Sequence, residues 1–437
     1  MIPILRLDQP EDCAKAEELL RRLRLDPMDF ILSRGEFAGK PEIVRGILAA
    51  VAQRGDAALV EVSRKFDDPN FTADRIRVSP DETRAAAERL PAEQMAALRR
   101  SIQQVRQYQQ HVMPVNPAPL KRGGLELGLR FTPLDSVGLL IPGGKAAYPS
   151  TLIMLAVPAQ VAGVQRIAVC SPPTQHGQSD IYLATCHELK LTEVFRAGGA
   201  AAVGALALGT ATIRPVDKIL GPGNVYVQLA KQALSGCVGI DGFLGPSEIV
   251  TLADDTARPD FVAADLLAQA EHDPGSCFLL TNSEKLAAAV KAEIEKQSPS
   301  LQRINAITAA LRDHSAIMIG SSLDELYEWA NRFAAEHVNL QLSDNLAALK
   351  ALRHAGAIFI GKDSPVAAGD YIAGPSHCLP TNTTARFSNG VSVFDFLKRS
   401  STEQYDAASL AADADAIITL ANAEGLDAHA QSVRIRK

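Results

Sequence analysis

Apolar positions recur at helical spacing through the first hundred residues, over 12–25 and again over 41–53, where the pattern stops before Gly55. Ser79 followed by Pro80, with Asp81 and Glu82 behind it, reads as a capped helix start whose acidic first turn suits the helix dipole. Pro91 opens a longer helix that runs to about Val112. The pattern changes near Arg130. Short β-branched runs at 136–141, 166–170, 192–195 and 218–220 alternate with alanine-rich helical stretches at 151–162, 181–189, 200–208 and 225–234. A second unit repeats the alternation, with strands at 249–253, 276–281, 316–319, 338–342 and 357–360 and helices that include 260–271 and 323–335. Strand and helix in alternation imply parallel sheets with crossover helices, an α/β fold. The last forty residues read as helical and polar. No repeat of fixed period relates the two α/β units.

Composition narrows the function classes. The chain has 437 residues, enough for about two to four folding units. With 47% apolar and 22% charged residues it has the balance of an ordinary globular protein. Its net charge is -6 and no basic stripe stands out, so a nucleic-acid partner has no electrostatic support. The longest apolar run, 151–164, is interrupted by Pro158 and Gln160 and falls short of the roughly 20 residues of a membrane span. The first nine residues carry Arg6 and Asp8 and lack the apolar centre of a secretory signal, so a cytoplasmic protein is expected. Cys13, Cys170, Cys186, Cys237, Cys277 and Cys378 form no CxxC pair, which argues for reduced thiols rather than a thiolate zinc site.

Glycines cluster at Pro142-Gly143-Gly144, Gly198-Gly199, Gly221-Pro222-Gly223-Asn224 and Gly245-Pro246-Ser247, each expected where a strand gives way to a helix or loop. Any one of them could simply turn the chain. Four together suggest a shared ligand crevice at strand carboxyl ends, although no GxGxxG fingerprint follows a first strand. Gln269 and His272, three apart, share one face of a predicted helix that Asp273-Pro274 stops; alone, they read as a solvated helix end and only weakly as a metal motif. Glu336-His337 closes the next helix. A carboxylate beside an imidazole can supply a general base and activate water, and a helix C-terminus favouring an imidazolium explains the same pair without chemistry. Asp370 lies in Gly369-Asp370-Tyr371, where a turn would also favour aspartate. Glu424 and His429 stand near the C-terminus, and a tail histidine is usually decoration. His111, His176, His187, His314, His354 and His377 read as structural or surface groups.

Taken in order, the strings Pro142-Gly143-Gly144 through Tyr148-Pro149-Ser150, Val216-Asp217-Lys218-Ile219, Gly221-Pro222-Gly223-Asn224, Gly245-Pro246-Ser247-Glu248, Asp265-Leu266-Leu267-Ala268-Gln269-Ala270-Glu271-His272-Asp273, Glu336-His337, Gly369-Asp370-Tyr371 and Glu424-Gly425-Leu426-Asp427-Ala428-His429 resemble the histidinol dehydrogenase family over nearly the whole chain. The resemblance implies oxidation of L-histidinol through L-histidinaldehyde to L-histidine, with Zn2+ and two NAD. It makes Gln269, His272 and Asp370 zinc ligands, with His429 of a partner subunit as the fourth. Ser247 and Glu424 would join the ligands and His337 in binding substrate. His337 would be the general base in both oxidations, and Glu336 would activate water against the aldehyde. On the dinucleotide side Asn224 matches the family, whereas Leu140 and Ala201 stand where tyrosine and glutamine are common, and Ser376 stands where asparagine is commoner.

The fold implied is α/β with two incomplete Rossmann-like domains, two small accessory helical segments and a domain-swapped homodimer. The expected division is 1–25 with 111–134 as an N-terminal accessory segment; 26–110 with 247–390 as the first Rossmann-like domain, carrying zinc and catalytic residues; 135–246 as the second, with the nucleotide-side loops; and 391–437 as a tail reaching the partner. Two rivals remain at this point. One is a dehydrogenase of the same family acting on another small alcohol, such as a sulfonated diol. The other is a non-catalytic homologue that keeps the zinc cage.

Overall fold

The structure, a computed structural model, describes every residue except Met1, Lys145, Phe243, Leu244, Pro246 and Asp273. The expected helix stop at Asp273 and the Pro246 step of the fourth glycine cluster therefore lie outside the described residues.

The chain begins with β1 (Ile4–Arg6) and α1 (Pro10–Leu23), followed by α2 (Pro27–Ile31), α3 (Lys40–Arg54), α4 (Asp56–Phe66), α5 (Pro80–Arg89) and α6 (Ala92–His111). At α5 the expected start is realised as a full capping box. Ser79 Oγ accepts from the Glu82 amide, and the Glu82 carboxylate accepts from the Ser79 amide. A ribbon of β2 (Leu120–Arg122) and β3 (Leu125–Pro133) precedes the first α/β unit. That unit runs β4 (Ser136–Leu140), α7 (Pro149–Ala162), β5 (Arg166–Ser171), α8 (Asp180–Glu188), β6 (Glu193–Arg196), α9 (Gly199–Leu208), β7 (Lys218–Leu220), α10 (Val225–Leu234) and β8 (Gly239–Ile240). The second runs β9 (Ser247–Ala253), α11 (Pro259–Ala270), β10 (Gly275–Thr281), α12 (Glu284–Gln297), α13 (Ile304–Asp313), β11 (Ala316–Ile319), α14 (Leu323–Phe333), β12 (His337–Gln341), α15 (Asn345–Ala351), β13 (Ala357–Ile360) and α16 (Val366–Tyr371). The chain closes with β14 (Leu397–Gln404), α17 (Ala407–Ala423) and α18 (Asp427–Arg434).

Both α/β units form parallel sheets. The five-stranded sheet has the order β6-β5-β4-β7-β8, and the six-stranded sheet has the order β1-β11-β10-β9-β12-β13. Set aside the edge strand β1, and each sheet follows the same path: its first strand is central, the next two step one way and the last two step the other. This is the doubly wound order in which the winding reverses beside the first strand. Period-two alternation gives each sheet two cores. Val137 and Leu139 point to one side of the five-stranded sheet, with Leu152 and Tyr182, while Leu140 and Ala168 point to the other, with Val203 and Leu48. In the six-stranded sheet Val250, Leu252 and Phe278 meet Trp329 and Phe333, while Ile249, Cys277 and Leu279 meet Leu266 and Val290.

The peripheral segments sort differently from the expected division. Residues 26–110 do not join 247–390. Val44, Leu48, Val51 and Leu59 of α3 and α4 pack over one face of the five-stranded sheet, and Leu98 and Val105 of α6 over the other. The reason is complementarity: α7 and α9 are so rich in alanine and other apolar residues that they are buried nearly all round, and they need an outer layer. Residues 1–25 do not join 111–134 either. β1 pairs in parallel with β11, and Ala16 of α1 is buried in the six-stranded sheet's core. The accessory segments are also not purely helical. β14 pairs with β3 in antiparallel register, from Leu397 opposite Pro133 to Gln404 opposite Glu126. Its sequence, LKRSSTEQ, lacks apolar alternation and is almost wholly exposed, so cross-strand pairing rather than burial makes it a strand. Among the described residues no helix is long and apolar enough to cross a membrane.

Candidate active site

The residues singled out for chemistry collect at the amino ends of β9 and β12. Ser247 is the first residue of β9 and His337 the first of β12, and the two strands are neighbours, with His337 opposite Ile249. The helix ahead of β12 stops at Phe333, and Ala334 turns the chain in a left-handed conformation (φ 43°). His337 is therefore a buried strand residue, and the helix-dipole explanation of the Glu336-His337 pair does not apply. Likewise only Gln269 lies on α11, in its last turn; His272 follows two residues after the helix ends, on a turn closed by its amide to the Gln269 carbonyl. β10 can start against that turn because Gly275 has no side chain: a Cβ there would lie 2.3 Å from the Gln269 carbonyl oxygen. Asp370 is in the short helix α16, not a turn.

A hydrogen-bonded chain links three of these groups, Gln269, Ser247 and Glu336. Gln269 Nε2 donates to Ser247 Oγ, and Ser247 Oγ donates to Glu336 Oε2 at 2.5 Å. The Glu248 amide donates to the same carboxylate oxygen at 3.0 Å. Because the Gln269 amide nitrogen is committed to Ser247, its oxygen is the atom left for a ligand. His337 Nδ1 lies 3.3 Å from the Glu248 carbonyl oxygen and 3.4 Å from Glu336 Oε2. A carbonyl can only accept, so Nδ1 carries the hydrogen and Nε2 presents a lone pair. That Nε2 is buried without a hydrogen-bond partner and lies 3.8 Å from Asp370 Oδ1.

Burial sets the protonation states. It pushes His337 down to about 3, with the hydrogen bond to the Glu248 carbonyl opposing, so the ring is neutral. It raises Glu336 well above the usual carboxylate range against the hydrogen bonds from Ser247 and Glu248, and it raises Asp370 to about 6 against the pull of His272. It also holds the Glu248 carboxyl up to about 8.

Some participants carry no signal in the sequence. His377, first read as structural or superficial, has Nδ1 2.8 Å from the Asp370 carbonyl oxygen and Nε2 3.0 Å from Thr151 Oγ1 in the first turn of α7. It thus ties the residue carrying a candidate ligand to the other α/β unit. The one hint was its place in a Gly-Pro-Ser-His loop soon after Asp370. Asp265, one turn before Gln269 on α11, accepts from Asn339 Nδ2 of β12 at 2.7 Å, and Gln341 Nε2 donates to Asn339 Oδ1 at 2.9 Å. This buried amide chain locks α11 to β12.

Other expected site residues lie elsewhere. Glu424 and His429 are exposed on the C-terminal arm, at the end of α17 and on α18. Asn224 caps α10, its Oδ1 accepting from the Tyr226 and Val227 amides. Leu140 and Ala201 are buried in the core of the five-stranded sheet. The glycine clusters after β4, β6 and β7 stand at carboxyl ends as expected, whereas Gly245 precedes β9 and stands at an amino end.

A divalent cation fits this donor set: an amide oxygen, an imidazole and a carboxylate, beside a buried imidazole nitrogen with nothing to bond. Among the described residues no group of three or more His, Cys, Asp or Glu side chains is close enough to hold a metal by itself.

A family model described as histidinol dehydrogenase matches residues 34–437. The chain belongs to the histidinol dehydrogenase family. It is 47% identical over 395 residues to the histidinol dehydrogenase of Geobacillus kaustophilus, covering 90% of this chain and 93% of that one. It is 46% identical over 404 residues to that of Caulobacter vibrioides, covering 92% and 94%. Among solved structures it is similar to the histidinol dehydrogenase of Elizabethkingia anophelis, with a TM-score of 0.92 at 32% identity over 100% of this chain and 98% of that one. Membership makes the chain an oxidoreductase, as the ordered motifs implied.

Proposed function

We propose that the chain oxidises L-histidinol through L-histidinaldehyde to L-histidine with two NAD, as a zinc-dependent cytoplasmic homodimer. The observation that carries this reading is the state of His337: a neutral buried ring, anchored at Nδ1, with a free lone pair at Nε2 beside Asp370 and within reach of Glu336.

Gln269, His272 and Asp370 would hold the metal, with His429 of a partner subunit. Zinc when bound would grip the imidazole and amino nitrogens of the substrate, and NAD when bound would accept hydride. His337 Nε2 takes the hydroxyl proton in the first oxidation and the hydrate proton in the second. The Glu248 carbonyl opposite Nδ1 disperses the charge that the ring then acquires. Glu336, made more basic by burial, takes a proton from the water that attacks the aldehyde. Ser247 orients both Gln269 and Glu336 and would leave the amide oxygen free for the metal. Glu424 of a second subunit would meet the amino-alcohol end of the substrate.

The C-terminal arm supports the dimer. α17 and α18 pack on each other and leave Leu420, Leu426 and Ile435 exposed. His272 is exposed in the single chain, so the site is open where a second copy would close it.

The test is NADH formation with histidinol, with histidine quantified, before and after chelation. Two NADH per histidine, lost on chelation and restored by zinc, are expected; one NADH per aldehyde released would overturn the four-electron reading. Mixing inactive His337→Asn and His429→Asn enzymes should restore about a quarter of wild-type activity, since half the random dimers would hold one intact site. No recovery after subunit exchange would overturn the shared site.

A further inference from the structure

A second buried charge cluster lies away from the catalytic groups, at the carboxyl end of β7. Lys231 of α10 and Asp241, which follows β8, form an ion pair with side chains 1% and 0% exposed. Both bind the main chain of the same residue, Gly221. The Gly221 amide donates to Asp241 Oδ2 at 2.6 Å, and Lys231 Nζ donates to the Gly221 carbonyl at 3.1 Å. Gly221 follows the last residue of β7 and opens the Gly221-Pro222-Gly223-Asn224 loop. Its φ is 123°, and a Cβ there would lie 2.2 Å from the Leu140 carbonyl oxygen. The main chain here is thus pressed against the end of β4, beside the gap where the strand order reverses.

Burying a charge pair is a poor way to gain stability, because desolvation offsets most of the attraction. It is an effective way to fix a stretch of main chain, since both hydrogen-bonding groups of Gly221 are taken by partners that cannot turn to water. Asn224 fastens the far end of the loop to α10 through its cap. The loop is therefore clamped at both ends to one helix.

We infer that Lys231 and Asp241 are positioning residues for dinucleotide binding: they hold the Gly221–Asn224 backbone in the form that receives NAD. This rests on the proposed function only for the identity of the ligand. The pair touches no reacting atom and lies on the other α/β unit from the metal residues, so its effect should fall on NAD affinity rather than on metal or alcohol.

The test compares wild type with Lys231→Met and with the doubly neutral Lys231→Met/Asp241→Asn, which leaves no unpaired buried charge if the single variant fails to fold. NADH binding is followed by fluorescence titration, with zinc content and histidinol turnover alongside. The double variant should bind NADH at least tenfold more weakly and raise the KM for NAD in parallel, with zinc content and the KM for histidinol unchanged. A folded double variant that binds NADH as tightly as wild type, even with a lowered Tm, overturns the inference and makes the pair merely structural. Wild-type protein that binds NADH yet leaves histidinol unoxidised would instead sink the proposed substrate, and the binding comparison would still decide the role of the pair.

Discussion

The two sheets share one strand order and present their candidate sites at opposite ends. In the five-stranded sheet the glycine loops after β4, β6 and β7 stand at carboxyl ends, where doubly wound sheets usually bind ligands. In the six-stranded sheet the candidate reactive groups stand at amino ends: Ser247 and His337 open β9 and β12, and Gln269 lies in the last turn of the helix before β10. Topology alone would have placed both sites at carboxyl ends. A strand's first residue can be gripped by a neighbour's main chain, as His337 is by the Glu248 carbonyl, whereas the exit loop after β7 presents main chain that the buried side chains of Lys231 and Asp241 hold in place. On the proposed function, one molecule would separate proton transfer and metal binding from dinucleotide binding by sheet and by strand end.

The separation can be broken most sharply at His337. His337→Asn should lower kcat by about 10²–10⁴-fold while zinc content and NADH affinity stay as in wild type. Near-normal turnover would remove the base assignment, and a matching loss of NADH affinity would show that the two ends are not independent. Glu336→Gln should cost aldehyde oxidation on the order of 10²-fold and histidinol oxidation much less. Equal losses in the two half-reactions would exclude its water-activating role. Ser247→Ala frees the Gln269 amide to rotate, and zinc affinity should fall by roughly 10–100-fold, measured by competition with a chelator. Unchanged affinity would mean that Ser247 does not orient the ligand. Asn224→Ala probes the opposite end. Loss of the α10 cap should cost about 1 kcal/mol by denaturant unfolding and weaken NADH binding, with zinc content unaffected.

Much of the fold was legible. The strands at 218–220, 316–319 and 357–360 and the helix at 225–234 match residue for residue, because β-branched runs and alanine-rich stretches in alternation leave few other solutions. The failures share a cause. β14 has no apolar alternation, and its strand state depends on β3, more than 260 residues earlier in the chain. The placement of 26–110 depended on which apolar face found which partner, and helical spacing reports that a face exists without reporting what covers it. In the site, Gln269, Ser247, Glu336, His337 and Asp370 were named through resemblance to a family; taken singly, each had a plain structural explanation. His377, Asp265 and Asn339 escaped because they act through single hydrogen bonds across large sequence separations, which no local pattern records.

The amino-acid sequence by itself determined the α/β class, the parallel sheets, most helix starts and the order of motifs that marks the family, since these depend on local preference and short-range periodicity. Only the tertiary structure decided that His337 is a buried neutral imidazole with its free nitrogen turned to Asp370, that two like-ordered sheets present their candidate sites at opposite ends, and that a lysine and an aspartate hold one glycine between them. Those outcomes depend on burial and on contacts between distant residues, and both come into being only when the chain packs.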